Sequence, residues 1–158
     1  KATDTTIGKF ANGFSWYFSN VMVNPYNDDD VMLTGVDLHR TSDGGTSWYL
    51  ASPLWWTQIV HADKHCIAWY NKDSFAIGTD GGLYVHNETD DSWRNADDIP
   101  NTEFYHVTVD QQNGLYYGGA QDNGTQKGNK TMLNDWQFVN GGDGFKTVFD
   151  PSPPSAFM

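Results

Sequence analysis

TSDGGTSW, residues Thr41–Trp48, is the stretch from which the rest of the chain can be read. An aspartate and four hydroxyl side chains around two glycines favour a tight turn. Short polar side chains bond their own backbone there, and glycine accepts positive φ. A tryptophan closes the turn. Tryptophan returns at Trp93 and Trp136, after intervals of 45 and 43 residues. A period in the low forties marks one copied supersecondary unit. With short strands and glycine-rich turns, that unit is a four-stranded propeller blade.

A second marker keeps nearly the same period. Asn24-Pro25 opens NPYNDDDVM, Tyr70-Asn71 opens YNKDSFA, Asp110 opens DQQNGLYY and Asp150-Pro151 opens DPSPPSAFM, which sets Met32 against Met158. Each marker follows apolar residues. The first three precede an apolar run ending in glycine, at Gly35, Gly78 and Gly119. A blade can be written from this pattern. Its first strand precedes the marker, its second ends in glycine, and its third covers Leu38–Arg40 or Leu83–His86. The fourth carries the periodic tryptophan, mostly buried. Alternation and β-branched or aromatic content support strands, and no window carries a capped helical stripe. The expected fold is all-β. Residues 1–158 form a partial β-propeller with blades at about 14–51, 59–95 and 103–139, and another beginning at 144–158. Three nearly complete blades of a larger, seven-bladed ring are expected, because a ring of typically 4–8 such blades outgrows a chain of this length. The sequence therefore reads as part of a longer protein with a processed or internal start at Lys1.

Net charge is −11. Such a surface repels phosphate backbones and argues against nucleic-acid binding. No apolar run reaches membrane-spanning length, so membrane insertion is not expected. Cys66 is the single cysteine, which leaves no internal disulfide. Aromatic content is 15%, much of it accounted for by packing between sheets. Sequons at Asn87, Asn123 and Asn129 read as chance.

Thr41, Asp43, Gly45, Ser47 and Trp48 fill every defined position of the Asp box, S/T-x-D-x-G-x-S/T-W. The chain thus resembles the Asp-box (BNR) repeats of sialidases, xyloglucanase-type glycosidases and sortilin-type receptors. The second copy, NETDDSW at Asn87–Trp93, keeps only the end of the box, and the third little beyond Asp135-Trp136. The phrases HADKH (His61–His65), GTDGGLY (Gly78–Tyr84), GGAQDNGT (Gly118–Thr125) and GGDGF (Gly141–Phe145) extend the likeness to large secreted Bacteroidetes propellers, sortilin-like or glycosidase-like. The resemblance implies a secreted or cell-surface protein. It also implies that the Asp box is a structural turn at the rim. Sialidase chemistry requires an arginine triad, and this chain holds only Arg40 and Arg94.

Strand parity sorts the connections. Those joining strands one–two and three–four share one end of a blade, and those joining two–three and four–one share the other. The Asp box lies at the first end. The second end receives Asp37, Asp80, Gln121, Asp122, Asn123, Asp143, HADKH, and the Ala51–Val60 connection with Trp55 and Trp56. In an extended strand His61, Asp63 and His65 would point to one side. They would form a polar ladder, a transition-metal site, or a substrate contact. Asp80-Gly81-Gly82 and Asp122-Asn123-Gly124 occupy equivalent turns. They serve either as turn chemistry or as a ring that binds a sugar or a calcium ion. Trp55 and Trp56 would face opposite sides of a strand, one of them a possible sugar platform. No cofactor is required.

Two functional classes follow. One is a non-catalytic propeller segment that scaffolds or binds a glycan or a surface or secretion-machinery protein, with the rest of its own propeller as partner. The other is part of a xyloglucanase-like glycoside hydrolase. Its two carboxylates would flank the scissile bond, and Asp63, Asp80, Asp122 and Asp143 all lie at the right end.

Overall fold

A computed structural model describes residues 13–14, 16–96, 99 and 102–148. The protein is all-β, a propeller segment built of three four-stranded antiparallel sheets. Among the described residues the one helical piece named is a 3₁₀ turn at Trp55–Thr57. Sheet one comprises β1 (Val21–Asn24), β2 (Asn27–Leu33), β3 (His39–Thr41) and β4 (Tyr49–Leu50). Sheet two comprises β5 (Lys64–Asn71), β6 (Ser74–Thr79), β7 (Gly82–Asn87) and β8 (Ser92–Asn95). Sheet three comprises β9 (His106–Asp110), β10 (Leu115–Ala120), β11 (Gly124–Asn129) and β12 (Met132–Asn140). Each is a simple meander in sequence order. The chain forms two compact units, residues 1–97 with the first two sheets and residues 98–158 with the third.

The periodic tryptophans occupy corresponding places. Trp93 lies in β8 and pairs with His86. Arg40 pairs with Tyr49, which sets Trp48 beside Thr41 at the entry to β4. Trp136 lies in β12, and its ring covers Gly128, where an added Cβ would meet it at 2.9 Å. The expectation that all three are mostly buried is corrected. Trp48 and Trp93 are half-buried and Trp136 is 38% exposed. The fourth strand is the edge of its sheet, so its side chains have neighbours on one flank only.

Register shows how the sheets of the first unit stack. In sheet two, Trp69, Phe75, His86 and Trp93 are directly paired across all four strands, and Ile67, Ile77 and Tyr84 form the adjoining row. Directly opposed residues share a face, so this is the tryptophan face of the sheet. Its rings form a continuous stack: Trp69–Phe75 at 4.8 Å, Phe75–His86 at 5.0 Å and His86–Trp93 at 4.5 Å between centroids. Phe75 and Ile77 are completely buried. Sheet one meets this face with Met22, Met32 and Arg40, which are themselves paired across β1–β3, and with Leu38. The corresponding tryptophan face of sheet one carries Val21, Val23, Val31 and Thr41. The stacking is therefore head to tail: the tryptophan face of one blade covers the opposite face of the blade before it. Repetition of such a heterologous contact generates rings.

Ionic contacts lock the same interface. Arg40 donates from Nε and Nη2 to the two Asp30 oxygens at 2.7 and 2.6 Å, and from Nη1 to Glu88 Oε1 at 2.7 Å. Its guanidinium lies 5.6 Å from the Trp69 ring centroid. Asp30 is 3% exposed and also accepts from Asn24 Nδ2 at 2.7 Å. Both carboxylates hold the arginine proton more firmly than usual, against the opposing effect of burial.

In the second unit, the chain after β12 turns back onto its own sheet. Gly144 N donates to Ala120 O at 2.9 Å. The same type of bond, Lys64 N to Gly35 O at 2.8 Å, brings β5 onto sheet one. Residues 143–148 contain no strand, and the remainder of the fourth blade expected at 144–158 lies outside the described residues.

Candidate functional site

Residues Thr41–Trp48 form a self-contained turn. Asp43 Oδ1 accepts from Thr46 N and Ser47 N, both at 2.9 Å, and Asp43 Oδ2 accepts from Ser47 Oγ at 2.6 Å. Thr41 Oγ1 donates to Asp43 Oδ1 at 2.7 Å and accepts from Gly45 N at 3.0 Å. Gly44 and Gly45 take φ of +67° and +90°, which ordinary side chains disfavour. The Ser47 hydroxyl, its amide and the Thr41 hydroxyl hold the Asp43 carboxyl down to about 2. Gly44 N then donates to Asp29 O at 2.9 Å and fastens the turn to the β1–β2 hairpin. Every one of these partners belongs to the scaffold.

The opposite end of the first unit is different in kind. There the β4–β5 connection, residues 51–63, meets the β6–β7 turn at Asp80-Gly81. His65, at the start of β5, brings Nε2 to 2.5 Å from Asp80 Oδ1. The Tyr17 and Phe18 rings stand edge-on to His65, at 5.0 and 5.8 Å. Asp80 N donates to Asp63 O at 3.3 Å, and carboxylate oxygens of Asp63 and Asp80 lie within 4.8 Å of each other. Burial, and then the Asp80 charge, push the Asp63 carboxyl up. His61 turns aside and packs over Gly81, where a Cβ would come to 2.3 Å of its ring. Asp63 has φ of +58°, so alternation is broken between His61 and His65. The three residues do not bring three ligand atoms within 4.8 Å of one another, as a metal would require. The expected one-sided stripe of His61, Asp63 and His65 is thus replaced by a pair, Asp63 and Asp80, with His65 bonded to the second.

Lys64 holds this arrangement and was not singled out by its sequence. It is completely buried. Its ammonium donates to Val36 O and His61 O, both at 2.9 Å, so it ties the β2–β3 turn to the β4–β5 connection. Burial lowers its pKa to about 8, against the opposing charges of Asp37 and Asp63. Burial also lowers His39, which lies near Asp37 and Lys64. The available signal was a lysine at the opening of an otherwise apolar strand.

Trp55 and Trp56 fall in the 3₁₀ turn rather than in a strand, so the expected division between two sheet faces does not apply. Both are open to solvent, at 51% and 59% exposure, and their rings meet edge to face at 5.7 Å. They stand on the same connection that ends in His61, Ala62 and Asp63.

In the second unit, Gln121, Asp122 and Asn123 form the β10–β11 turn. Asp122 N donates to Asp143 Oδ1 at 3.1 Å, and Asn123 Nδ2 donates to Gln121 O at 3.0 Å. The Tyr105 hydroxyl donates to Gln121 Oε1. Asp122 and Asp143 are both exposed. Arg40, committed to Asp30 and Glu88, is not available to a substrate carboxylate.

No protein-family model and no curated protein matches the chain. Solved structures show similarity, two GH74 enzymes among them. The GH74 xyloglucanase from Xanthomonas campestris is 16% identical with a TM-score of 0.44, over 87% of this chain and 25% of that one. An ancestral GH74 enzyme is 19% identical with a TM-score of 0.37, over 78% of this chain and 18% of that one. The chain spans a quarter or less of the length of these proteins. No helix among the described residues is long and apolar enough to cross a membrane.

Proposed function

We propose that this chain is a segment of a secreted or cell-surface Asp-box propeller that binds a neutral glycan at the blade ends opposite the Asp box. The observation that carries the reading is the β4–β5 connection. That segment carries two open indole rings and ends at Asp63, beside Asp80 of the β6–β7 turn and His65 of β5. Planar rings that stack on sugar C–H faces, beside fixed hydrogen-bonding groups, are the chemistry of carbohydrate recognition. The acidic surface favours neutral over anionic polymers. The Asp box serves the fold, the remaining blades of the ring are its partners, and no cofactor is needed. Affinity electrophoresis through gels containing a soluble β-glucan tests this. Trp55→Ala and Trp56→Ala should remove the retardation while the thermal midpoint stays put. Unchanged retardation in both would reject the site.

A second reading, glycoside hydrolysis, is favoured by one observation. Asp63 and Asp80 are close enough to act as a retaining pair, for which about 5–5.5 Å is typical. Asp63 would donate the proton, because its environment keeps it protonated to higher pH than an ordinary aspartate. Release of reducing ends from the same glucan, abolished by Asp63→Asn and Asp80→Asn with binding retained, would establish this reading. Binding with no cleavage by the wild-type protein would exclude it for this segment.

A further inference from the structure

Asparagine precedes glycine at Asn12, Asn113, Asn123 and Asn140. In such a pair the glycine amide nitrogen can attack the asparagine carboxamide, because no Cβ on the glycine screens it. Sequence ranks the pairs alike, and the structure separates them. Asn12 lies outside the described residues. At Asn113 both reacting groups are held: Nδ2 donates to Asp110 Oδ2 at 2.7 Å, and Gly114 N donates to Asp110 O at 2.8 Å. Asn123 is held in the same way. Its Nδ2 donates to Gln121 O at 3.0 Å, and Gly124 N donates to Gly142 O at 2.9 Å. Asn140 differs. It ends β12 where the ladder slips between Thr125 and Gln126, and both Asn140 and Gly141 are exposed. Among the described residues neither the Asn140 carboxamide nor Gly141 N has a hydrogen-bond partner. A Cβ on Gly141 would meet only the Phe138 ring edge, at 3.5 Å.

From this contrast we infer that Asn140 is a modification site, converted to aspartate and isoaspartate through an imide formed with Gly141. Water is the one co-reactant. Gly141 N loses its proton to solvent base and attacks Asn140 Cγ. The new C–N bond closes a five-membered ring. The Cγ–Nδ2 bond breaks, and Nδ2 takes up a proton and leaves as ammonia. Water then opens the ring. Addition at Cγ restores the ordinary backbone with an aspartate side chain. Addition at the Asn140 carbonyl carbon leaves the backbone running through Cγ, as isoaspartate. Either product adds a carboxylate to a chain of net charge −11. Asn140 also stands at the root of the segment that returns to sheet three. There Gly124 N and Gly144 N donate to Gly142 O and Ala120 O, both at 2.9 Å, and a Cβ on Gly124 would collide with Asn140 O. A backbone lengthened by one methylene does not fit so close a contact. Conversion therefore loosens the return segment and marks the age of the molecule irreversibly.

The test is to incubate the whole chain in mildly alkaline buffer and follow each Asn-Gly pair by peptide mapping and mass spectrometry. In the folded chain Asn140 should convert about tenfold faster than Asn113 or Asn123, where hydrogen bonds must break first. In concentrated urea the three rates should draw together. Asn140→Gln should remove the fast phase. Equal folded rates, or an unchanged ranking in urea, would overturn the assignment. Hydrogen–deuterium exchange at Gly124 and Gly144 should quicken in the converted chain; unchanged exchange there would overturn the loosening.

Discussion

At the scale of single residues, two ionisable groups in neighbouring blades are shifted the same way for different reasons, Asp43 because its charged form is bonded and Lys64 because its charged form is buried. Asp43 has a folded value of about 2, below its ordinary 3.8, because Ser47 and Thr41 bond its charged form. Its contribution is present above pH 3.8 and is lost as pH falls toward 2. Asp43→Asn should therefore flatten the acid limb of a plot of thermal midpoint against pH; an unchanged limb would contradict the capping role. Lys64 is also lowered, but there burial disfavours the charged form. Its folded value of about 8 lies below the ordinary 10.5, so between those values the unfolded chain binds more protons. Stability should rise across that window by about 2 kcal/mol relative to Lys64→Met, in which this titration is absent. Urea midpoints at pH 7.5 and 10.5 provide the comparison, and parallel slopes for the two proteins would refute it. The turn at Thr41–Trp48 was legible in sequence because its bonds run between residues at most four apart. Lys64 was not, because one of the carbonyls that hold its ammonium is 28 residues away.

At the scale of elements, the blade interface is what the repeat encodes. Phe75 sits at the centre of the ring ladder with no exposure, and Phe75→Ala should cost about 3–5 kcal/mol. Arg40→Ala should cost about 3–5 kcal/mol by stranding the Asp30 carboxylate. Arg40→Lys should recover little of that, since a lysine cannot reproduce the forked bond to Asp30 while also reaching Glu88. Chemical denaturation of the three variants measures these losses. Strand order and the tryptophan positions could be read from the sequence, because a 45- or 43-residue interval returns the chain to the same place in each copy. The shape of the β4–β5 connection could not. The left-handed backbone at Asp63 and the 3₁₀ turn at Trp55–Thr57 each break the two-residue period on which the extended reading depended.

At the scale of the whole molecule, the two ends of the first unit differ in kind. One end closes on itself: the Asp43 carboxylate is used up by its own turn. The other end of the first unit places two open indoles and a close aspartate pair on neighbouring connections. Head-to-tail stacking repeats this polarity from the first sheet to the second, so a ring built this way would gather at one end the groups proposed to bind glycan. Hydrogen–deuterium exchange of the chain with and without a soluble cello-oligosaccharide tests that division most directly. The account predicts slower exchange at residues 51–65 and 79–83, with none at 41–48. Protection centred on the Asp-box turn, with the β4–β5 connection unchanged, would contradict it.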